Sequence, residues 1–315
     1  MNKVIPIFYA CDDRFVKYTI VSLSSMIKNA SLDFEYRVFI LHTDISESMM
    51  KATKELENDC FKISFIDVSK YLKSISKKLP LRHYYSKTTY YRLFIAEMFP
   101  EFDKAIYIDS DTIVLGDISE LYKTEIEGFS LAACREQAME QVDVYGTYAE
   151  RVVGISRHKF FNAGVLLLNC KKLRSDGVLD KFIHYLGIYD FIVTQDEDYL
   201  NLICKDSVFW LDQRWNTELT DGLNYDYDIS EASILHFIMV NKPWHYRNCR
   251  GAHIYWDFAK ETSVYESLLS ELGAYTDEER TKDRLSSEQL ARMAIDETMR
   301  KDNFLNVWGD KLPLL

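Results

Sequence analysis

Apolar runs and amphipathic runs alternate through the first third of this chain, and that alternation constrains its fold more than any other feature. Residues 4–10 (VIPIFYA), 35–42 (EYRVFILH), 61–65 (FKISF) and 104–108 (KAIYI) read as strands, being short and either continuously apolar or alternating in polarity. Between them, residues 17–29 carry Ile20, Val21, Leu23, Ser24 and Ile27 at helical spacing. Residues 46–58 read as a helix that Ser46 can cap, and residues 88–98 as a helix closed by Pro100. Pro6 is awkward inside the first strand because it has no N–H to donate. Strand–helix alternation predicts an α/β chain, with a Rossmann-like, mostly parallel central sheet flanked by helices. Ligands of such sheets gather at the carboxyl ends of the strands. The residues just past the first and fourth strands are acidic: Asp12 and Asp13, then Asp109 and Asp111.

The rest of the chain is less regular. Residues 163–168 form a strong strand, residues 171–186 and 196–204 read as helices, and residues 234–238 as a short strand. From about residue 255 onward the pattern is helical and highly charged. A net charge of -11 argues against a nucleic-acid partner, since no basic stripe is present to meet a phosphate backbone. The six cysteines form no CxxC pair, so buried free thiols in a reducing compartment are expected, not a zinc site or a disulfide framework. The apolar run of residues 4–11 is short for a signal core, is broken by Pro6 and ends in acid. No stretch approaches the roughly 18 apolar residues of a spanning helix. A cytoplasmic location is expected, with peripheral contact at the inner face of the membrane as one role for the tail.

Residues 104–117 read KAIYIDSDTIVLGD. Two carboxylates two residues apart at a strand end can converge on one divalent cation, and oxygen ligands suit Mg²⁺ or Mn²⁺. Such an ion would neutralise a departing diphosphate as a Lewis acid. The DxD tripeptide alone is weak evidence, because Asp196–Asp198 and Asp226–Asp228 match it too; only Asp109 and Asp111 follow an apolar strand.

With that segment in view, the chain resembles the family 8 glycosyltransferases, which include bacterial lipopolysaccharide galactosyl- and glucosyltransferases and glycogenin. The resemblance runs in order through FYACDDRFVKY, TTYYRLFIAEMFP, KAIYIDSDTIVLGDISELY, FNAGVLLLNCKKLR, TQDEDYLN and HFIMVNKPWHY. It implies a GT-A fold over residues 1–255 with a helical C-terminal extension over 256–315. It also implies a UDP-hexose donor (galactose or glucose), Mn²⁺ with Mg²⁺ as the alternative, a saccharide or glycolipid acceptor and retention of anomeric configuration. By match to the family motifs, Asp109, Asp111 and His236 would ligate the metal. Ser110 would face the donor, and Lys242 would contact the diphosphate. Asp12 would meet the uracil or ribose and Tyr18 would pack near the base, the alternative for Tyr18 being a core aromatic in the first helical turn. Arg92 would reach the donor rather than form a surface salt bridge. Asn162, Asp196 and Glu136 would hold sugar hydroxyls. Glu197 stands where the galactosyltransferases carry Gln, near the β-face of the anomeric carbon, and as a carboxylate it is a candidate nucleophile or oxocarbenium stabiliser; the alternative is an ordinary helix-surface acid.

Two positions depart from the family pattern. Met239 stands where the family carries Gly beside the diphosphate, and Arg14 where it often carries Asn. Two other classes compete with the reading: an aspartate phosphatase with DxD after a strand, and a carbohydrate-binding protein that kept the fold without catalysis. The phosphatase motif belongs on a first strand, whereas this one follows about a hundred residues of α/β pattern. The acceptor is expected against residues 138–160 and 212–232, where Tyr145, Tyr148, Trp215 and Tyr225 can stack on a sugar ring. The tail residues Phe304, Leu305, Val307, Trp308 and Leu312 serve membrane docking, pairing of two subunits or packing on the body.

Overall fold

A computed structural model describes residues 3–75, 87–309 and 311. Its central sheet has seven strands: β1 (Lys3–Ala10), β2 (Phe34–His42), β3 (Phe61–Asp67), β4 (Ala105–Ile108), β6 (Leu131–Arg135), β7 (Phe161–Leu168) and β8 (Val208–Trp210). Their spatial order is β3-β2-β1-β4-β7-β6-β8. Neighbours are parallel except where β7 meets β4 and β6, so β7 alone runs against the others. The sheet is therefore mostly parallel, as the alternation predicts. A second sheet joins β5 (Thr112–Val114), β9 (Thr217–Glu218) and β10 (Ile234–His236) in the order β5-β10-β9.

The continuous apolar runs of β1 and β4 have a simple cause, since both faces of the sheet are covered. Phe8, Ala10, Ala105 and Tyr107 join one core; Ile5, Ile7, Tyr9, Ile106 and Ile108 join the other. Pro6 is tolerated because β4 pairs only with Ile7 and Phe8, beyond the missing donor. Helix α1 (Val16–Asn29) lies between two cores, with Val16, Leu23 and Met26 on one and Tyr18, Ile20 and Val21 on the other. Its buried hydroxyls tie it to the strand-end loop: Thr19 donates to Ser110 Oγ at 2.8 Å, and Ser25 Oγ accepts from the Val114 N–H at 2.8 Å.

Several elements differ from expectation. Helix α2 (Glu47–Lys54) starts after Ser46, but Ser46 does not cap it; its N–H and hydroxyl both donate to Asp13 Oδ1 instead, at 2.8 and 2.7 Å. The helix α3 (Ser69–Ile75) follows β3. Residues 88–98 are mostly 3-10 helix (Lys87–Phe94), with only the last turn, α4 (Ile95–Met98), α-helical. The short helices α5 (Ile118–Lys123), α6 (Gln137–Gln141) and α7 (Asp143–Tyr148) fill the span between β5 and β7. The helix expected over 171–186 is two, α8 (Cys170–Ser175) and α9 (Val178–Ile188), because Gly177 between them takes φ 62°. Helix α10 (Asp196–Cys204) is present as expected.

The tail is helical: α11 (Ala252–Ala259), α12 (Tyr265–Ala274), α13 (Asp277–Met299) and α14 (Phe304–Trp308). It packs on the body. Tyr255, Ala259, Val264 and Leu268 share a core with α1, and Phe304 is buried against Tyr185, Tyr189 and Phe191. Trp308 packs at the edge of that core and Leu305 lies against Gly154, while Val307 is exposed and Leu312 lies outside the described residues. Among the described residues, no helix is long and apolar enough to cross a membrane. All six cysteines are free thiols; Cys60 and Cys249 are half-buried and the others buried.

Candidate active site

Strand β4 ends at Ile108 and the chain turns through Asp109, Ser110 and Asp111 into β5. The turn is held from three sides. The Asp109 N–H donates to Gly164 O in β7 at 2.8 Å, the Tyr107 hydroxyl donates to Asp109 Oδ1 at 2.6 Å, and the Thr112 hydroxyl donates to Asp109 O at 2.9 Å. Strand β10 then pairs antiparallel with β5, setting His236 opposite Thr112. That register carries a residue from far along the chain to the Asp pair. Ligand atoms of Asp109, Asp111 and His236 lie within 4.8 Å of one another, and this group could hold a metal ion. His236 Nε2 is 3.2 Å from Asp111 Oδ1 and 4.0 Å from Asp109 Oδ2. Lys242 Nζ reaches Asp111 Oδ2 at 2.5 Å and also donates to the Phe237 carbonyl. Burial alone would raise the Asp111 carboxyl, but Lys242 and His236 hold it well below the usual carboxylate range.

The donor set suits a divalent ion between hard and soft, with two carboxylates and one imidazole. Gly164 leaves the space for two of these side chains: a Cβ there would sit 2.3 Å from His236 Cε1 and 2.8 Å from Asp109 Oδ2.

Arg92 is buried rather than on a helix surface. Its planar fork joins three elements: NH2 pairs with Asp109 Oδ1 at 3.1 Å, Nε with Asp196 Oδ2 at 3.0 Å, and NH1 donates to Ala163 O at 2.5 Å. The guanidinium also lies 4.5 Å from the Tyr107 ring centroid. Asp196 and Glu197 open α10, where the helix dipole favours acid. Gln195 before them takes φ 56°, a left-handed conformation uncommon outside glycine. Burial and repulsion from Asp109 push Asp196 up to about 6 despite Arg92. Glu197 Oε2 accepts from the Ala163 N–H at 2.8 Å, and burial together with Glu136 raises its carboxyl well above the usual range. Glu136 follows β6; its Oε2 accepts from Asn162 Nδ2 at 2.5 Å.

These residues line a cavity of about 350 Å³: Asp109, Asp111, His236, Arg92, Glu136, Asn162, Asp196 and Glu197 form its polar part, with Met139, Tyr145, Val193, Met239 and Leu290 around them. A smaller groove of about 170 Å³ shares Asp109 and Asp111 and adds Ser110, Ala10, Cys11 and Phe15. A wider cleft of about 990 Å³ runs past Lys242 and Met239 toward Arg14, Phe15 and Tyr18.

Two expected residues lie apart from the metal-type cluster. Asp12 Oδ1 accepts from the N–H groups of Arg14 and Phe15 at 3.0 and 2.9 Å, closing the turn into α1. Tyr18 is a core aromatic, its ring stacked 3.7 Å from that of Trp244 and its hydroxyl donating to Glu271 at 2.7 Å. Phe15 and Tyr18, one helical turn apart, both line the wider cleft, and Phe15 also lines the smaller groove. Of the four acceptor-side aromatics, Tyr145 lines the cavity. Tyr148 is buried and donates to Asp198 Oδ2 at 2.8 Å, Trp215 packs on a core, and Tyr225 donates to the Glu218 carbonyl. Met239 has φ 57°, so the backbone keeps a conformation that glycine takes freely even though the side chain is large. The sequence reading missed Gly164, Asn216, Glu218 and Leu290. Gly164 was within reach, since it sits in the FNAG segment; β9, which carries Glu218, is two residues long and has no periodicity to read.

A profile described as glycosyl transferase family 8 matches residues 6–248. This chain belongs to glycosyl transferase family 8. Lipopolysaccharide 1,2-glucosyltransferase of Escherichia coli K12 is 25% identical over 280 residues, covering 84% of this chain and 80% of its own. The structure of galactosyltransferase LgtC with donor and acceptor sugar analogues is 26% identical, with a TM-score of 0.69 over 85% of this chain and 100% of LgtC. WbbM, a bifunctional glycosyltransferase, shares the fold at a TM-score of 0.77 and 20% identity, over 87% of this chain and 52% of WbbM. The architecture is thus the GT-A fold of these enzymes. The family 8 span ends just after the Lys242 loop, yet the tail beyond it grips that loop. Glu271 on α12 accepts from Tyr18 and pairs with Lys17 at 2.8 Å and His245 at 3.5 Å, and Asp283 on α13 accepts from Tyr246 and Tyr275 at 2.9 and 2.6 Å.

Proposed function

We propose that this family 8 enzyme is a retaining, divalent-metal-dependent hexosyltransferase. It moves galactose or glucose from a UDP-sugar to a saccharide or glycolipid acceptor, in the synthesis of a cell-surface polysaccharide or lipopolysaccharide-type glycan at the cytoplasmic face of the membrane. The observation that carries this reading is the convergence of Asp109, Asp111 and His236 where β4 ends, the ligand edge of a parallel sheet. LgtC, crystallised with donor and acceptor sugar analogues, supports the substrate class. The catalytic unit in this proposal is residues 1–255, with 256–315 as a helical extension that buttresses it.

Asp109, Asp111 and His236 would hold Mn²⁺, or Mg²⁺ in its place. When bound, the ion supplies Lewis-acid neutralisation of the diphosphate leaving group. Lys242, now tied to Asp111, adds a point charge to that group. Phe15 and Ser110 line the groove that would take the nucleoside, with Asp12 holding the turn that carries Phe15. Arg92 keeps Asp109 and Asp196 in register, and Asn162, Asp196 and Glu136 present polar atoms to the hexose. In the transfer, the acceptor oxygen bonds to the anomeric carbon as its bond to UDP breaks, and the acceptor proton passes to a phosphate oxygen. Glu197, one oxygen pinned by Ala163, stabilises positive charge on the anomeric carbon. The test is UDP release from a panel of sugar nucleotides, which needs no acceptor. Release should require Mn²⁺, stop with EDTA and fall by at least ~10²-fold in Asp109→Ala and Asp111→Ala, as loss of an electrostatic stabiliser does. Release that ignores EDTA, or full activity in either variant, would sink the metal reading.

A further inference from the structure

We propose that Asn216 is a positioning residue that fixes the His236 ring proton on Nδ1 and so turns the Nε2 lone pair toward Asp109 and Asp111. This rests on the metal reading of that cluster for its purpose, though its geometry stands independently. Asn216 is fully buried at the end of a 3-10 turn (Gln213–Asn216), just before β9. Its Oδ1 lies 3.0 Å from His236 Nδ1, and its Nδ2 lies 2.8 Å from Asn162 Oδ1. Asn162 Oδ1 also lies 2.8 Å from the Gly164 N, and Asn162 Nδ2 lies 2.5 Å from Glu136 Oε2.

The direction of every bond in this chain follows from its two ends. The Gly164 N–H can only donate, so Asn162 must face it with oxygen. The opposite orientation would set an amide NH₂ against that N–H and the amide oxygen against the Glu136 carboxylate. Asn162 Oδ1 is therefore an acceptor, and Asn216 must meet it with Nδ2. Reversing Asn216 would place two carbonyl oxygens 2.8 Å apart. Asn216 thus presents oxygen to His236, and only an Nδ1–H satisfies that contact. A neutral imidazole left to itself carries its proton mostly on Nε2, the atom that faces Asp111 Oδ1 at 3.2 Å. The buried relay from a strand amide holds a proton on Nδ1, so that a proton on Nε2, which the Asp111 carboxylate favours in the metal-free site, is the one a metal displaces. Partners of this kind on a ligating histidine fix ring orientation and tautomer, and their loss typically costs 10–100-fold in metal affinity.

The test uses the full chain and two independent readouts. First, nitrogen NMR of the metal-free, ¹⁵N-histidine-labelled protein reads the tautomer directly, at a pH where the His236 ring is neutral. The expected result is a protonated Nδ1 and a bare Nε2; a protonated Nε2 overturns the proposal without any variant needing to fold. Second, Mn²⁺ affinity is measured by electron paramagnetic resonance for the unmodified protein, Asn216→Leu and Asn216→Asp. Leu removes the acceptor and should weaken Mn²⁺ binding by about 10–100-fold. Asp still accepts from Nδ1–H and should keep affinity close to the unmodified protein, although it loses the donor to Asn162 and melts at lower temperature. Equal loss of affinity in both variants would mean that Asn216 acts through packing alone, and unchanged affinity in Asn216→Leu would overturn the proposal outright. If the unmodified protein takes no Mn²⁺, the metal reading fails instead, and the nitrogen spectrum alone decides the tautomer.

Discussion

Gly164→Ala is the sharpest perturbation this site offers, because one added carbon meets the cluster from below. Gly164 sits in β7 with none of the positive φ that would exclude alanine on backbone grounds. The effect is therefore steric. The new Cβ would lie 2.3 Å from His236 Cε1, where carbon atoms rest at about 3.5–4.0 Å. The imidazole must retreat by more than about 1 Å, and Asp109 Oδ2, at 2.8 Å from the same Cβ, must move too. A misplacement of about 1 Å in a catalytic constellation costs on the order of 10²-fold in rate. Stability should change much less. Overpacking costs about 1–3 kcal/mol, while alanine removes about 0.4–1 kcal/mol of unfolded-chain entropy. The expected result is UDP release down about 100-fold and Mn²⁺ affinity clearly weakened, in a protein that still melts cooperatively within a few degrees of the parent. UDP release and thermal melts on the same preparations read both quantities. If Gly164→Ala keeps parental activity and Mn²⁺ affinity, then His236 is not held where the structure puts it and the reasoning fails.

Met239 offers a backbone test, since its φ of 57° costs a non-glycine residue about 1–2 kcal/mol. Met239→Gly relieves that strain against about 0.4–1 kcal/mol of added chain entropy, so its melting temperature should hold or rise, whereas Met239→Val, β-branched at positive φ, should fall by at least about 1 kcal/mol; equal losses in both would show that the loop does not take this conformation. Asp198 offers a pH test, because burial pushes its carboxyl up to about 7 even with Tyr148 and Thr194 donating to it. The folded chain then keeps a proton that the unfolded chain loses near its ordinary pKa of 3.8. Stability from this group is full below that value and drains as pH rises toward about 7, at no more than about 1.4 kcal/mol per pH unit. Asp198→Asn keeps the Tyr148 contact without the proton, so the parent should lose stability relative to the variant between pH 5 and 7, and parallel melting curves over that range would refute the shift.

What the sequence showed and what it hid divide along a physical line. The strand–helix alternation was legible because β1 and β4 are covered on both faces and must be apolar, while β3 alternates buried and exposed residues. The Asp109–Asp111 pair was legible because it interrupts such a run at its carboxyl end. Tyr18 kept two readings in the sequence because helical spacing separates it from Phe15 by one turn, and a single sequence does not say which of the two aromatics lines the smaller groove; in the fold Tyr18 both joins a core and lines the wider cleft. The 3-10 character of Lys87–Phe94 escaped because i+3 and i+4 apolar patterns look alike over so short a span. Asn216 and Glu218 escaped for a different reason: their neighbours, Asn162, Gln137 and His236, lie on β7, α6 and β10, and nothing local marks such contacts. The tail was legible as helix but not as a clamp, since Glu271 and Asp283 look like any solvated acids until Tyr18, His245 and Tyr246 are seen to meet them.

The charge pattern of the assembled site argues for its need of a cation. The chain carries a net charge of -11, and several of its acids converge here. The cations beside the cluster are already committed: buried Arg92 to Asp109 and Asp196, half-buried Lys242 to Asp111. Among the described residues neither Glu197 nor Glu218 forms an ion pair, and burial together with Glu136 pushes both carboxyls up, toward the neutral form. A diphosphate entering this cavity would meet Asp109 and Asp111 before it met any uncommitted positive charge. Under the proposed function, a divalent ion held by those carboxylates and His236 would reverse that encounter and leave Lys242 to face the phosphates. On that reading, binding of a nucleotide sugar should rise steeply with Mn²⁺, and the acidity that disfavours nucleic acid is the reason that a metal would accompany the donor.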